Sequence, residues 1–225
     1  MNPLQSELLR LYGVVPSASA DAGDSVRAMV LELTAPPGWR VLGRVWQGVQ
    51  EELDLPAPAI AVSGTEGLQL WFSLAVPVAV PSALAFLRGL QSRFLPEVAP
   101  NRLRATAGVA VAVPALQPAT GNWSAFVAPD LAPVFDETPW LDVAPNEEGQ
   151  AALLRSLRPM GAGAFAAAVE QLAPPPAPSG GMAADGLVQR DPREFLLQVM
   201  NDAGVALALR IEAARVLLQA PRDAG

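Results

Sequence analysis

The sequence predicts an α+β fold, a mixed or mainly antiparallel sheet with packed helices, plus a C-terminal helical hairpin. Three observations predict it. Residues 26–34 alternate with the period of a strand and are followed by a helical-period stretch over 39–53. Two apolar runs, 59–62 and 68–74, flank the reversal Ser63-Gly64-Thr65-Glu66-Gly67, the pattern of a hairpin. A Pro- and Gly-rich stretch then separates this body from two further helical segments. The expected division is an α+β domain over 1–172, a linker over 173–191 and a helical hairpin tail over 192–225.

Each element has its own reason. Leu4, Leu8 and Leu11 share one face of a short helix over 2–11. In the strand at 26–34, Val26, Ala28, Val30 and Glu32 are expected on one face and Arg27, Met29, Leu31 and Leu33 on the other. Pro36 and Pro37 stop it. In the next helix Leu42, Val45, Trp46, Val49 and Leu53 form the apolar stripe. Gly64 and Gly67 supply the backbone freedom that a tight reversal needs. Pro81 suits a first helical turn, and a stripe from Leu84 to Phe94 continues that helix.

Strands are then expected at 108–113 and 123–127. Residues 129–145 hold four prolines and should be irregular, anchored by Leu131, Val134, Phe135, Trp140 and Leu141. Asn146 caps a helix to about residue 157, with Glu147 and Glu148 in its first turn, and another helix runs over 162–172. The tail pairs helices at 192–201 and 205–218. It is too small to be stable alone and is expected to dock on the body or on a protein partner.

Composition narrows the chemistry. The 225 residues contain no Cys and no His, and the sequence shows no Lys, so all 15 basic residues are Arg. Thiolate, imidazole and Schiff-base chemistry are excluded, as are His/Cys metal sites. Carboxylates, hydroxyls, Arg and backbone amides remain. The net charge of −7 argues against a broad nucleic-acid surface. A local patch is the exception: Arg88, Arg93, Arg102 and Arg104 lie close in sequence, whereas residues 130–148 are acidic. Residues 1–12 lack the pattern of a secretory signal, so a cytoplasmic location is expected. The uncharged stretch 67–87 is long enough to span a bilayer. Pro77 and Pro81 interrupt it, and it is expected to be buried protein rather than membrane.

The succession Val30-Leu31-Glu32-Leu33, a helix, Ile60-Ala61-Val62-Ser63-Gly64-Thr65-Glu66-Gly67-Leu68-Gln69-Leu70-Trp71-Phe72, then a second helix resembles the core of the archaeo-eukaryotic primase superfamily, over roughly residues 26–95. That family carries paired aspartates on a strand, a Ser-Gly-rich turn before a strand with a histidine, and a third carboxylate further on. Its chemistry is two-metal nucleotidyl transfer. The resemblance puts Glu32 at the first acidic position and leaves Thr34 where a second carboxylate would help. It puts Gln69 in the place of the histidine, with Asp142 as the remaining third carboxylate. Gln hydrogen-bonds but carries no proton. The tail, from Asp191-Pro192-Arg193-Glu194 onward, is similar to a helical segment of phage DNA-packaging small-subunit proteins, which implies a mobile-element context.

The resemblance implies a primase-like domain that is non-catalytic and binds a nucleotide, a nucleic acid or a replication component. Its ligand-binding candidates are Ser63, Gly64, Thr65, Gly67, Gln69, Trp71 and Arg88. Trp71 or Phe72 is the expected ring for stacking a base, but not both, because neighbours on a strand face opposite ways. Arg88 and Arg93 are the candidate phosphate contacts, against the default of a solvated helix face. Asn122, Trp123 and Ser124 follow a glycine and are candidates for lining the same cleft, with loop anchoring the favoured alternative. No cofactor is expected. Mg2+ is expected only if catalysis survives, with Glu32 and Asp142 as the metal and catalytic candidates; Asp136 and Glu137 are further carboxylates for a hard cation. A structural or assembly protein that uses the tail to dock a partner is the alternative, and a metal-dependent nucleotidyltransferase the third.

Overall fold

A computed structural model describes residues 2–13, 24–36, 38–109 and 112–173, together with Arg210, Ile211, Ala214 and Arg215. The chain divides into units 1–175 and 176–225. The four described residues of the second unit are helical. The expected linker beyond Ala173, and the tail apart from those four residues, lie outside the described residues.

The body begins with α1 (Pro3–Tyr12). Asn2 accepts from the Gln5 amide, and Gln5 bonds back to the Asn2 amide in a capping box. Strand β1 (Ser25–Leu33), helix α2 (Trp39–Glu51), strands β2 (Ala59–Val62) and β3 (Leu68–Ala79), helix α3 (Val80–Phe94) and strand β4 (Leu103–Ala107) follow. Strand β5 (Ala125–Val127) and helices α4 (Glu147–Arg155) and α5 (Ala162–Leu172) complete it. The sheet order is β4-β1-β3-β2-β5, and all its ladders are antiparallel. The β1-α2-β2-β3-α3-β4 segment is therefore a split β-α-β arrangement of ferredoxin-like order, with β5 added beside β2. The expected α+β class and antiparallel sheet are both present.

Alternation along the strands makes two cores. Met29, Leu31, Leu33, Ile60, Leu70 and Phe72 pack under α2, α3 and α5. Ala28, Val30, Ala59, Ala61, Trp71 and Phe126 face α1 and α4. The second layer is the unexpected part. It closes the sheet face that a ferredoxin-like fold leaves open when only α2 and α3 pack on it.

Three expectations are corrected. Val26 packs on the Met29 side instead of sharing a face with Ala28, because the β1–β3 register shifts between them. Residues 74–77 there stand opposite Arg27 alone, and this bulge carries β3 past Pro77, which has no N–H to give a ladder. The fourth strand lies at Leu103–Ala107, and Gly108, at φ +93°, ends it; of the strand expected at 108–113, residues 108, 109, 112 and 113 are not in a strand, and 110 and 111 lie outside the described residues. In the irregular segment, Leu131 and Val134 are exposed, at 52% and 68%, and Ala132 is buried in their place. Among the described residues no helix is long and apolar enough to cross a membrane. The stretch 67–87 is strand and then helix.

Candidate functional site

One row crosses the whole sheet. Arg104 on β4 pairs with Glu32 on β1, Glu32 with Gln69 on β3, Gln69 with Ala61 on β2, and Ala61 with Phe126 on β5. Paired residues share a face, so Glu32 and Gln69 lie on the α1/α4 side. The hairpin turn is beside them. Glu32 Oε1 lies 2.6 Å from where a Cβ on Gly67 would stand. The expectation that Glu32 and the turn adjoin in one sheet thus holds geometrically.

The residues of this row are already engaged. Glu32 is buried, and its Oε2 accepts from Arg104 Nη1 at 3.2 Å. The Arg104 side chain is 68% exposed, so the pair stands at the edge of the covered face. Gln69 Oε1 accepts from Trp71 Nε1 at 2.8 Å. Thr34, the position lacking a second carboxylate, donates to the Arg102 carbonyl.

The turn satisfies itself. Ser63 Oγ accepts from the amides of Thr65 at 3.1 Å and Gly67 at 2.9 Å and lies 3.1 Å from Thr65 Oγ1. The Ser63 amide donates to Gly67 O at 2.9 Å, and Gly64 N–H to Pro139 O at 3.0 Å. Gly64 has φ +80°, and a Cβ there would stand 2.8 Å from Ser124 N. Gly67 has no positive φ; it is glycine because Glu32 lies against it. With the Ser63, Gly64, Thr65 and Gly67 amides taken, the turn is not an open phosphate cradle.

The other candidates scatter. Trp71 is 3% exposed; its ring meets Tyr12 at 5.3 Å and Phe126 at 5.5 Å between centroids. Phe72 is 2% exposed and packs on Phe86. Both rings are core, and neither offers a face to a base. Arg88 is exposed on α3, across the sheet from Glu32. Arg93 pairs with Glu52 at 2.7 Å, and Arg102 donates to Pro36 O. Three members of the expected Arg patch, Arg93, Arg102 and Arg104, thus go to separate partners, and Arg88 stands apart on α3.

Trp123 exchanges backbone hydrogen bonds with Leu141 at 2.8 and 3.0 Å, and Ser124 Oγ accepts from the Ala115 amide, so the 122–124 stretch anchors loops. Asp142 follows Leu141 and is exposed, with no hydrogen bond or ion pair to Glu32. Asp136 Oδ1 accepts from the Trp39 amide and caps α2, whose own N-cap Gly38 offers no side chain. Among the described residues no three acidic side chains group closely enough to hold a metal ion.

Two features escaped sequence reasoning. An Arg partner for Glu32 was the commoner expectation for a strand-end carboxylate, but Arg104 was not singled out as that partner; the signal was its alternation with Leu103 and Ala105, overshadowed by the wholly apolar Val109–Val113 run. A groove of about 530 Å3 beside α2, lined by Trp39, Arg40, Arg44, Gln47, Asp130 and Asp136, was invisible because its walls come from segments far apart in sequence. Arg44 there is paired with Glu97, and that hydrogen bond lowers the Glu97 carboxyl below its ordinary pKa.

No family model and no curated protein matches the chain. Among solved structures it is similar to the AEP domain of the primase-polymerase of cyanophage S-2L, at 19% identity over 62% of this chain and 66% of that one, with a TM-score of 0.29. The match spans just under two thirds of that domain's length.

Proposed function

We propose that this chain is a primase-like domain that does not transfer nucleotides and acts as a binding module, with a protein component of a replication apparatus as the partner the geometry favours. The observation that carries this is the Glu32–Arg104 pair. Two-metal transfer needs several carboxylates converging on the cations. Here the single carboxylate of the motif is met by a guanidinium, and its strand neighbour Gln69 holds no titratable proton. A nucleotide or single strand is the less favoured ligand. Trp71 and Phe72 are buried, and Arg93, Arg102 and Arg104 are held by ion pairs or backbone carbonyls, apart from the exposed Arg88.

The experiment is a primer-synthesis assay with Mg2+ and Mn2+, run beside titrations with labelled nucleoside triphosphates and a single-stranded oligonucleotide. No synthesis and no saturable nucleotide binding are expected. Metal-dependent synthesis that disappears in Glu32→Gln would make the chain an active nucleotidyltransferase and overturn the reading. Tight oligonucleotide binding would keep the module and replace its partner.

An assembly role through the tail is the second reading, and Ile211 favours it: this apolar side chain is 54% exposed on a helical residue. Removal of residues 174–225 is expected to lower the number of copies per particle, read from the mass in solution, if the tail assembles copies, and an unchanged copy number would dismiss it.

A further inference from the structure

The two edges of the sheet are treated differently. At β5, the side chain of Gln150 stands in for a neighbouring strand. Its Oε1 accepts from the Phe126 amide at 2.7 Å and its Nε2 donates to the Phe126 carbonyl at 2.9 Å. At β4 no described residue does this. Thr34 N donates to Arg102 O and Gly108 N donates to Ala28 O, so the even-numbered residues of this strand turn their backbone groups toward β1. Leu103, Ala105 and Ala107 turn theirs outward; the Leu103 N–H is taken by Pro100 O, and no described residue bonds to the Leu103 carbonyl or to the backbone groups of Ala105 and Ala107.

We propose that β4 is the pairing edge of a homodimer, in which two copies align this strand antiparallel about Ala105 and join their sheets into one. The chemistry of the edge selects the occupant and the register. Centring on Ala105 sets Leu103 opposite the second copy's Ala107 and Ala105 opposite its counterpart, so both groups of Ala105, the Ala107 N–H and the Leu103 C=O find partners across the seam, four hydrogen bonds in all. It also sets Arg104 opposite Thr106. A register centred on Arg104 would face guanidinium with guanidinium and leave Ala107 unpaired. The half-buried Leu103, Ala105 and Ala107 already pack on the core beneath α3, so the new strand would prolong an apolar layer. This inference stands apart from the primase-like reading.

The test is sedimentation equilibrium of the full chain. A concentration-dependent dimer is expected. Thr106→Glu should tighten it and Thr106→Arg should loosen it, each by roughly threefold to tenfold, because each substitution acts at two symmetric contacts with Arg104. Ala105→Pro should give a folded monomer, since it removes an N–H that the single copy does not use. Thermal melts confirm that the variants are folded. A protein that stays monomeric at all concentrations would overturn the proposal, as would a dimer that responds alike to Glu and Arg at 106 or to neither.

Discussion

Gly67 and Glu32 occupy each other's space: a Cβ on Gly67 would lie 2.6 Å from Glu32 Oε1, 2.9 Å from its Cγ and 3.0 Å from the Leu33 carbonyl oxygen. The turn is held against β1 by the absence of a side chain rather than by an unusual backbone angle. Gly67→Ala should therefore destabilise the fold by about 1–3 kcal/mol. Combined with Glu32→Ala it should cost less than the sum of the two, since two of the three close atoms belong to Glu32. Urea denaturation of the double-mutant cycle measures this coupling.

Gln150 is the next lever. It is 6% exposed and satisfies both backbone groups of Phe126. Gln150→Leu keeps the volume but strands a buried donor and a buried acceptor, each at a cost of about 1–3 kcal/mol. The expected result is a loss of at least about 2 kcal/mol, read as a lower denaturation midpoint at an unchanged slope.

Asp136 caps a helix ninety-seven residues before it in the chain. Asp136→Ala should cost about 0.5–2 kcal/mol and Asp136→Asn much less, because Asn keeps an acceptor oxygen. Thermal unfolding of the two variants separates the cap from nonspecific loss of charge.

Tyr12 gives the pH dependence. Burial holds its phenol neutral far above the ordinary range, against a smaller opposing pull from Arg10. The folded pKa is raised, so the contribution is complete below the unfolded value of about 10 and is lost as pH rises from there toward the folded value. Stability should fall above about pH 10 by up to about 1.4 kcal/mol per pH unit. The chain has one Tyr, no Cys and no Lys, so no other type of side chain ordinarily titrates in that window. Urea midpoints from pH 9 upward should fall for the native protein and stay flatter for Tyr12→Phe.

The legible parts of the fold were those written locally. The heptad-like stripe of α2, the Asn146 cap with Glu147 and Glu148, and the two runs around Ser63 each specify an element within a few residues. What escaped depends on distant neighbours. The run from Val109 to Val113 is apolar throughout and richer in valine than Leu103-Arg104-Ala105-Thr106-Ala107, yet it is the latter, with its strict apolar-polar alternation, that finds β1. Trp71 invited a stacking role until Tyr12, from the far end of the domain, arrived over its edge. The adjacency of Glu32 and the turn was readable because both flank a hairpin in one split β-α-β unit. The engagement of Glu32 by Arg104 was not, since that contact spans seventy-two positions.

Sealing one margin with the amide of Gln150, while the described residues leave Ala105 and Ala107 unclaimed at the opposite margin, makes growth by strand addition self-limiting. Once two copies have met along β4, the ends that remain are both capped by glutamine. Addition through the sheet would stop at a pair instead of running on into a fibre.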